Sequence, residues 1–215
     1  MENPTAEYES LTDAFRFFNR RLFDDRLPLV LLTLSKHGSS FGYYRNRVFG
    51  SRVEQNRATD EIALCANTFR GRTDKDVLST LVHEMAHLWH FSFGKRISRR
   101  GYHNLEWAKQ MLQVGLHPSD TGKPGGKMYG HRMTHYVIEG GPFDRTAEEL
   151  MNGGWRLGWE QRTSRDFIPP ELSVPEFEFE SRPTRKKFTC KRCQLAAWTK
   201  FSARLVCGDC GLLMI

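Results

Sequence analysis

Thr80-Leu81-Val82-His83-Glu84-Met85-Ala86-His87-Leu88-Trp89 is the stretch on which the reading of this chain turns. Its H-E-x-x-H pattern lies within a broadly apolar run of Val77, Leu78, Leu81, Val82, Met85, Ala86, Leu88 and Trp89, as in a helix buried on most sides. Thr73-Asp74-Lys75-Asp76 reads as the start of that helix, with Thr73 at the N-cap and Asp76 at the third helical position. Side chains four apart on a helix share a face, so His83 and His87 can offer two imidazole nitrogens to one metal ion. Glu84 stands beside the first of them, where it can take a proton from water. Two histidines and a glutamate inside an apolar helix are costly without a partner, which favours a metal site over a chance match on a solvated helix. The chemistry expected of this pattern is zinc-assisted peptide hydrolysis, with Glu84 as the base.

A catalytic zinc usually has three protein ligands and one open position. Downstream stand His90, His103, His117, His131 and His135. His90 follows His87 by three residues and reads as a packing or supporting residue, and His117 precedes Pro118 in an apparent loop. His103 is the preferred third ligand. It follows the basic, glycine-bounded connection from Gly94 to Gly101 and opens a segment with Leu105, Ala108, Met111 and Leu112 at helical spacing.

His83-Glu84-x-x-His87 followed by His103-Asn104-Leu105-Glu106-Trp107 resembles the SprT/Spartan family of zinc metalloproteases. Asn104 stands where that family usually has glycine, a mild departure because Asn also tolerates unusual backbone angles. Upstream, Phe18-Asn19-Arg20-Arg21-Leu22-Phe23 through Leu27-Pro28, then Phe41-Gly42-Tyr43-Tyr44, then Glu61-Ile62-Ala63-Leu64, are similar to the family's opening helix and two of its strands. The resemblance covers about residues 8–115. It implies an α+β, zincin-like metalloprotease domain, and a substrate that is a protein crosslinked to DNA or tightly bound on it. The residues alone leave two other readings open: a DNA-independent peptidase, and a non-proteolytic nucleic-acid-binding protein with structural zinc.

Cys190-x-x-Cys193 and Cys207-x-x-Cys210 form a second constellation, with the spacing of a tetrahedral structural zinc in a small C-terminal ribbon. Many SprT-like proteins are similar in carrying such a ribbon. A ribbon this small lacks a core, so zinc would supply much of its folding free energy. Cys65, at the end of an apolar strand, reads as core filler.

The chain has 215 residues and a net charge of +7, with 39% hydrophobic residues. Its pI is near 9.3, which favours a polyanionic partner. Lys95, Arg96, Arg99 and Arg100 fill the loop before His103, and Arg182 lies ahead of the cysteines. Arg185, Lys186, Lys187, Lys191, Arg192, Lys200 and Arg204 crowd the ribbon, with Phe188, Trp198 and Phe201 interleaved. Phe188 suits the ribbon's core. The cations together with Trp198 are the candidate contacts to DNA, single-stranded or unwound rather than duplex. No apolar run is long enough to span a membrane and the N-terminus lacks a signal-peptide pattern. The expectation is a monomer in the cytoplasm, nucleoid-associated in a bacterium, with the nucleus open in a eukaryote.

The predicted organisation is a metalloprotease domain over 5–165, a proline-spaced linker over 166–185 and the ribbon over 186–215. Helices are expected over 5–23, 74–92 and 104–115, packed on a small mixed or antiparallel sheet of three strands at 29–34, 41–45 and 61–65. Residues 119–127 read as loop, 128–138 as strand, and 146–161 as holding a short helix. Tyr102, Tyr129, His131, His135 and Tyr136 are open candidates for stabilising an oxyanion.

Overall fold

A computed structural model describes residues 6–36, 40–99, 101–161 and 185–215. The chain divides into two units, Met1–Asp166 and Phe167–Ile215, and is a mixed α+β protein with small sheets. Arg100, Arg182 and nearly all of the expected linker lie outside the described residues.

In the first unit, α1 (Ala6–Leu22) turns Leu11, Ala14, Phe15 and Phe18 into the core. Its exit is fixed by buried Asn19. The Asn19 side chain accepts from Leu27 N at 3.0 Å and donates to Leu27 O at 3.2 Å, closing a turn in which Asp24 and Asp25 both adopt φ 55°. Asp accepts this left-handed geometry more readily than most side chains. Strand β1 (Leu31–Ser35) then pairs in parallel with β3 (Ala58–Cys65), which pairs antiparallel with β2 (Gly42–Gly50), so the sheet is mixed with β3 at its centre.

β2 runs five residues beyond the expected strand end at Arg45. The extension carries a register shift between Arg45 and Phe49, with Arg47 at φ 45°. Asp60 supports this irregularity by accepting from Tyr44 Oη at 2.7 Å, Arg47 N at 2.8 Å and Asn46 Nδ2 at 3.2 Å. The hydrophobic pattern of the strand carries no trace of a bulge held by one remote carboxylate.

Helix α2 (Asp74–Phe93) is the centre of the unit. Thr73 and Asp76 form a reciprocal capping box, and every residue from Val77 to Ala86 is buried. Helix α3 (Leu105–Gln113) folds back against α2 and buries Trp107, Ala108 and Met111. Two short antiparallel pairs follow: β4 (Tyr102–His103) with β6 (Gly130–His131), and β5 (Leu116–Ser119) with β7 (Thr134–Val137). The strand expected over 128–138 is therefore split, and Arg132, at φ 53°, lies between its halves. Helix α4 covers Pro142–Asn152, so the short helix expected within 146–161 is present but begins four residues earlier. Pro142 occupies the first turn, where its missing N–H costs nothing, and Gly153-Gly154 ends the helix. Among the described residues no helix is long and apolar enough to cross a membrane.

The second unit holds β8 (Lys186–Thr189) and β9 (Ala196–Thr199), an antiparallel pair over a core of Phe188, Cys190, Cys207 and Met214.

Candidate functional site

The first candidate site is built from α2, the β4–α3 junction and β7. His83 and His87 rise from α2 and His103 stands opposite; one ligand atom from each lies within 4.8 Å of the others. His103 sits on β4, two residues before the first residue of the helix, rather than opening the helix itself. Asn104 is the N-cap of α3, at an ordinary extended φ of −90°, and accepts from Trp107 N at 2.9 Å. Its side chain also donates to Arg96 O at 2.8 Å. Asn at this position is thus explained by capping and by anchoring the preceding loop, and tolerance of unusual backbone angles plays no part.

That loop is tied down by α3. The Glu106 carboxylate accepts from Lys95 N at 3.0 Å and from Arg96 N at 3.3 Å, and these amides hold its pKa below the usual carboxylate value. His90 is buried, with Nε2 3.1 Å from Arg96 O, and so supports the loop outside the histidine cluster.

Trp107, fully buried, floors the site. Its ring centroid lies 4.4 Å from that of His103 and 5.1 Å from those of His83 and His87. Tyr44 lies parallel to His87 at 6.5 Å and donates its hydroxyl to Asp60, which orients the ring. Neither aromatic was assigned a part in the site from sequence, although the Phe41-Gly42-Tyr43-Tyr44 and Trp107 motifs were the signal.

The electrostatics suit a metal. Burial drives His83 and His87 well below the ordinary histidine pKa, and burial also lowers His103. All three are therefore held as neutral imidazoles, the form that ligates. His103 places Nδ1 3.2 Å from Gly130 O, so Nδ1–H donates there and Nε2 is left with its lone pair. Glu84 is enclosed beside them, and desolvation pushes its carboxyl up to about 8. Three neutral nitrogen donors with one side open to a cleft match the donor set of a catalytic zinc site.

The cleft over this cluster has a volume of about 1270 Å³. β2 forms one wall, and the loop before β4 and the β6–β7 segment form others. Glu84 is the one carboxylate among its described lining residues, whereas Arg45, Arg99 and Arg132 all face it. Of the five oxyanion candidates, Tyr102 and His135 line the cleft. Tyr129 is exposed, Tyr136 is stacked on His117 at 4.7 Å, and His131 Nδ1 donates to Gly101 O at 2.9 Å.

Gly42 sets how closely β2 approaches α2. A Cβ there would lie 2.9 Å from both Ala63 O and Thr80 Cγ2, and 3.3 Å from Glu84 Cγ. Gly42→Ala is expected to cost about 1–3 kcal/mol, as overpacking of a close-packed contact does. Denaturant unfolding would measure it, and an unchanged midpoint would mean that α2 can back away freely.

Residues 11–124, just over half of the chain, match the sequence profile of the SprT-like family. The chain belongs to the SprT-like family. The matched span holds His83, Glu84, His87 and His103, which gives this SprT-like domain the candidate zinc site of a metallopeptidase-like family. An uncharacterized protein encoded in the mucB 3' region of Salmonella typhimurium is 40% identical over 60 residues, which are 27% of this chain and 80% of that protein. No solved structure matches the chain.

The second candidate site lies outside the matched span. Cys190, Cys193, Cys207 and Cys210 bring their sulfurs within 4.8 Å of one another, with Cys193 Sγ and Cys207 Sγ 3.5 Å apart. A tetrahedron with metal–sulfur bonds of ~2.3 Å has edges of about 3.8 Å, so the cluster fits zinc. The two halves repeat one geometry: Gln194 N donates to Cys190 O at 2.9 Å, and Gly211 N to Cys207 O at 2.8 Å. Gln194 and Gly211 share the left-handed conformation that this turn requires, φ 62° and 63°. The amides of Cys193 and Arg192 push the Cys190 thiol down to about 7, toward the thiolate that a metal binds. Around this cluster Arg185, Lys186, Lys187, Lys191, Arg192, Lys200 and Arg204 are exposed, as is Trp198, while Phe188 is buried.

Proposed function

We propose that the chain is a zinc metalloendopeptidase of zincin-like fold that cleaves proteins crosslinked to DNA or tightly bound on it. The observation that carries the peptidase reading is the convergence of His83, His87 and His103 beside a buried Glu84 at the base of an open cleft. Zinc held there would supply a Lewis acid for the scissile carbonyl and would acidify water. Glu84 accepts the proton of the attacking water and returns it to the leaving amine, so its task is to hold a proton between two steps. Trp107 and Tyr44 keep the histidine rings in place, and β2 with the loop before β4 confines the substrate segment.

The DNA reading is supported by the ribbon. Lys187 and Trp198 are register partners on β8 and β9, so their side chains share a face, opposite to buried Phe188. A cation beside an indole that is 65% exposed suits a phosphate and an unstacked base. In the peptidase unit, the cationic cleft is compatible with work close to a polyanion. The working form is read as a monomer, in the reducing cytoplasm or nucleus where thiolates stay available to zinc.

Trp198→Ala is expected to weaken single-stranded DNA binding by about 1–3 kcal/mol, or about 5- to 150-fold in Kd. The functional test is cleavage of a protein crosslinked to single-stranded DNA, compared with the same protein free. DNA should stimulate cleavage, and Trp198→Ala should lose that stimulation while still cutting the free protein. Equal rates with and without DNA would instead describe a DNA-independent peptidase. No cleavage of either substrate would leave a zinc-containing nucleic-acid-binding protein.

A further inference from the structure

Behind His83 lies a hydrogen-bond chain with one direction. His83 Nδ1 is 3.0 Å from Nδ1 of His135, on β7. His135 Nε2 is 2.9 Å from Ser79 Oγ, and Ser79 Oγ donates to Asp76 O at 2.8 Å. A backbone carbonyl has no proton to give, so the Ser79 hydroxyl proton is committed to Asp76. Ser79 Oγ must then accept, and His135 carries its proton on Nε2. His135 Nδ1 is left as a lone pair facing His83 Nδ1, so His83 carries its own proton there. Nε2 of His83 is thereby the bare nitrogen, the one free to ligate.

We propose that His135, directed by Ser79, is a positioning residue that fixes the tautomer and ring orientation of His83 for zinc. A ligating histidine ordinarily gives its second N–H to a carboxylate, a backbone carbonyl or water. His103 follows that habit with Gly130 O. His83 departs from it: its acceptor is a second imidazole whose proton is placed by a helix carbonyl one turn away. Apart from any contact with substrate, this gives His135 a role that its place beside the cleft does not require. The inference rests on the zinc reading of the preceding subsection, and its test reads metal rather than activity.

The measurement is zinc affinity of the full chain by competition with a chromophoric chelator, with His83→Ala/His87→Ala marking the cysteine site's share. His135→Phe fills the space but offers no acceptor, and should weaken the histidine site by about 10- to 100-fold. His135→Asn keeps an acceptor oxygen near the Nδ1 position and should bind closer to wild type than His135→Phe. Ser79→Ala frees the tautomer and should fall between wild type and His135→Phe. The cysteine site should be unchanged in all three. Far-UV circular dichroism of the zinc-free variants separates misfolding from lost affinity. Folded His135→Phe that binds as tightly as wild type, or more tightly than His135→Asn, would overturn the proposal, since packing alone favours the ring. A wild-type chain that takes zinc only at its cysteines would overturn the peptidase reading itself, and this proposal with it.

Discussion

Glu84→Gln is expected to lower peptide hydrolysis by about 10²- to 10⁴-fold, the usual contribution of one positioned base, while the chain still takes up zinc at its three histidines. Gln keeps the size of the side chain and its hydrogen-bonding oxygen but cannot hold a proton between two steps. Metal content and turnover measured on the same preparation check it; equal turnover of wild type and variant would sink the peptidase reading. A second consequence belongs to the metal-free chain. Desolvation raises the folded pKa of Glu84 to about 8, against an ordinary value of 4.5. The stability associated with this group is fully present below pH 4.5 and is lost as pH rises through about 8. The variant has no such group. Wild type should therefore lose stability relative to Glu84→Gln across that window, by at most about 1.4 kcal/mol per pH unit. A cation among the histidines favours the ionised carboxylate, so zinc should flatten the difference. Urea unfolding of both proteins over the window decides the point, and parallel pH curves without zinc would contradict it. The histidines act in the opposite sense. Burial depresses their pKa values, to about 4 for His135, so their contribution is present above the unfolded value of 6.5 and is lost as pH falls through the folded one.

Replacing Cys190 or Cys207 by Ser is expected to unfold the C-terminal unit and leave the SprT-like unit folded. The C-terminal core consists of Phe188, Cys190, Cys207 and Met214 with a few partly buried neighbours, so two of its four central side chains are themselves thiols. A structural zinc contributes an apparent ~10–16 kcal/mol to folding at neutral pH, more than so small an apolar cluster can offer. The first unit has its own core of Phe15, Phe18, Leu78, Leu81, Trp107 and Phe143, among others, and does not draw on that metal. Zinc stoichiometry should fall by one, and residues 186–215 should become open to protease while the remaining cooperative transition persists. Full zinc content together with a protected C-terminal unit would refute the expectation.

Much of the site was legible in the residues because it is local. The capping box, the apolar circumference of α2 and the four-residue spacing of His83 and His87 all lie within one helix, and helix geometry alone puts the two rings on one face. The paired C-x-x-C turns are local in the same way. His103 was reachable because a short loop and a new helical period bring the chain back. What periodicity does not carry is the work of single side chains and of helix ends. The Asp60 carboxylate holds the bulge that lengthens β2. Helix α4 ends at Gly153-Gly154, the pair that marks its limit in the sequence, but Pro142 starts it four residues ahead of its expected beginning. Asn104 was explained by backbone freedom, whereas its work is done by the side chain.

The sequence by itself determined the family, the candidate ligand types and the carboxylate beside them, since these are carried by residue identity at short spacing. Only the tertiary structure decided what surrounds them. It selected Tyr102 and His135 from five candidates at the cleft, put Trp107 beneath three imidazoles, and set His135, 52 positions away from His83, against its ring. Those contacts depend on how β7 and α3 dock on α2, and docking is settled by the packing of whole faces. No spacing within a single segment records it.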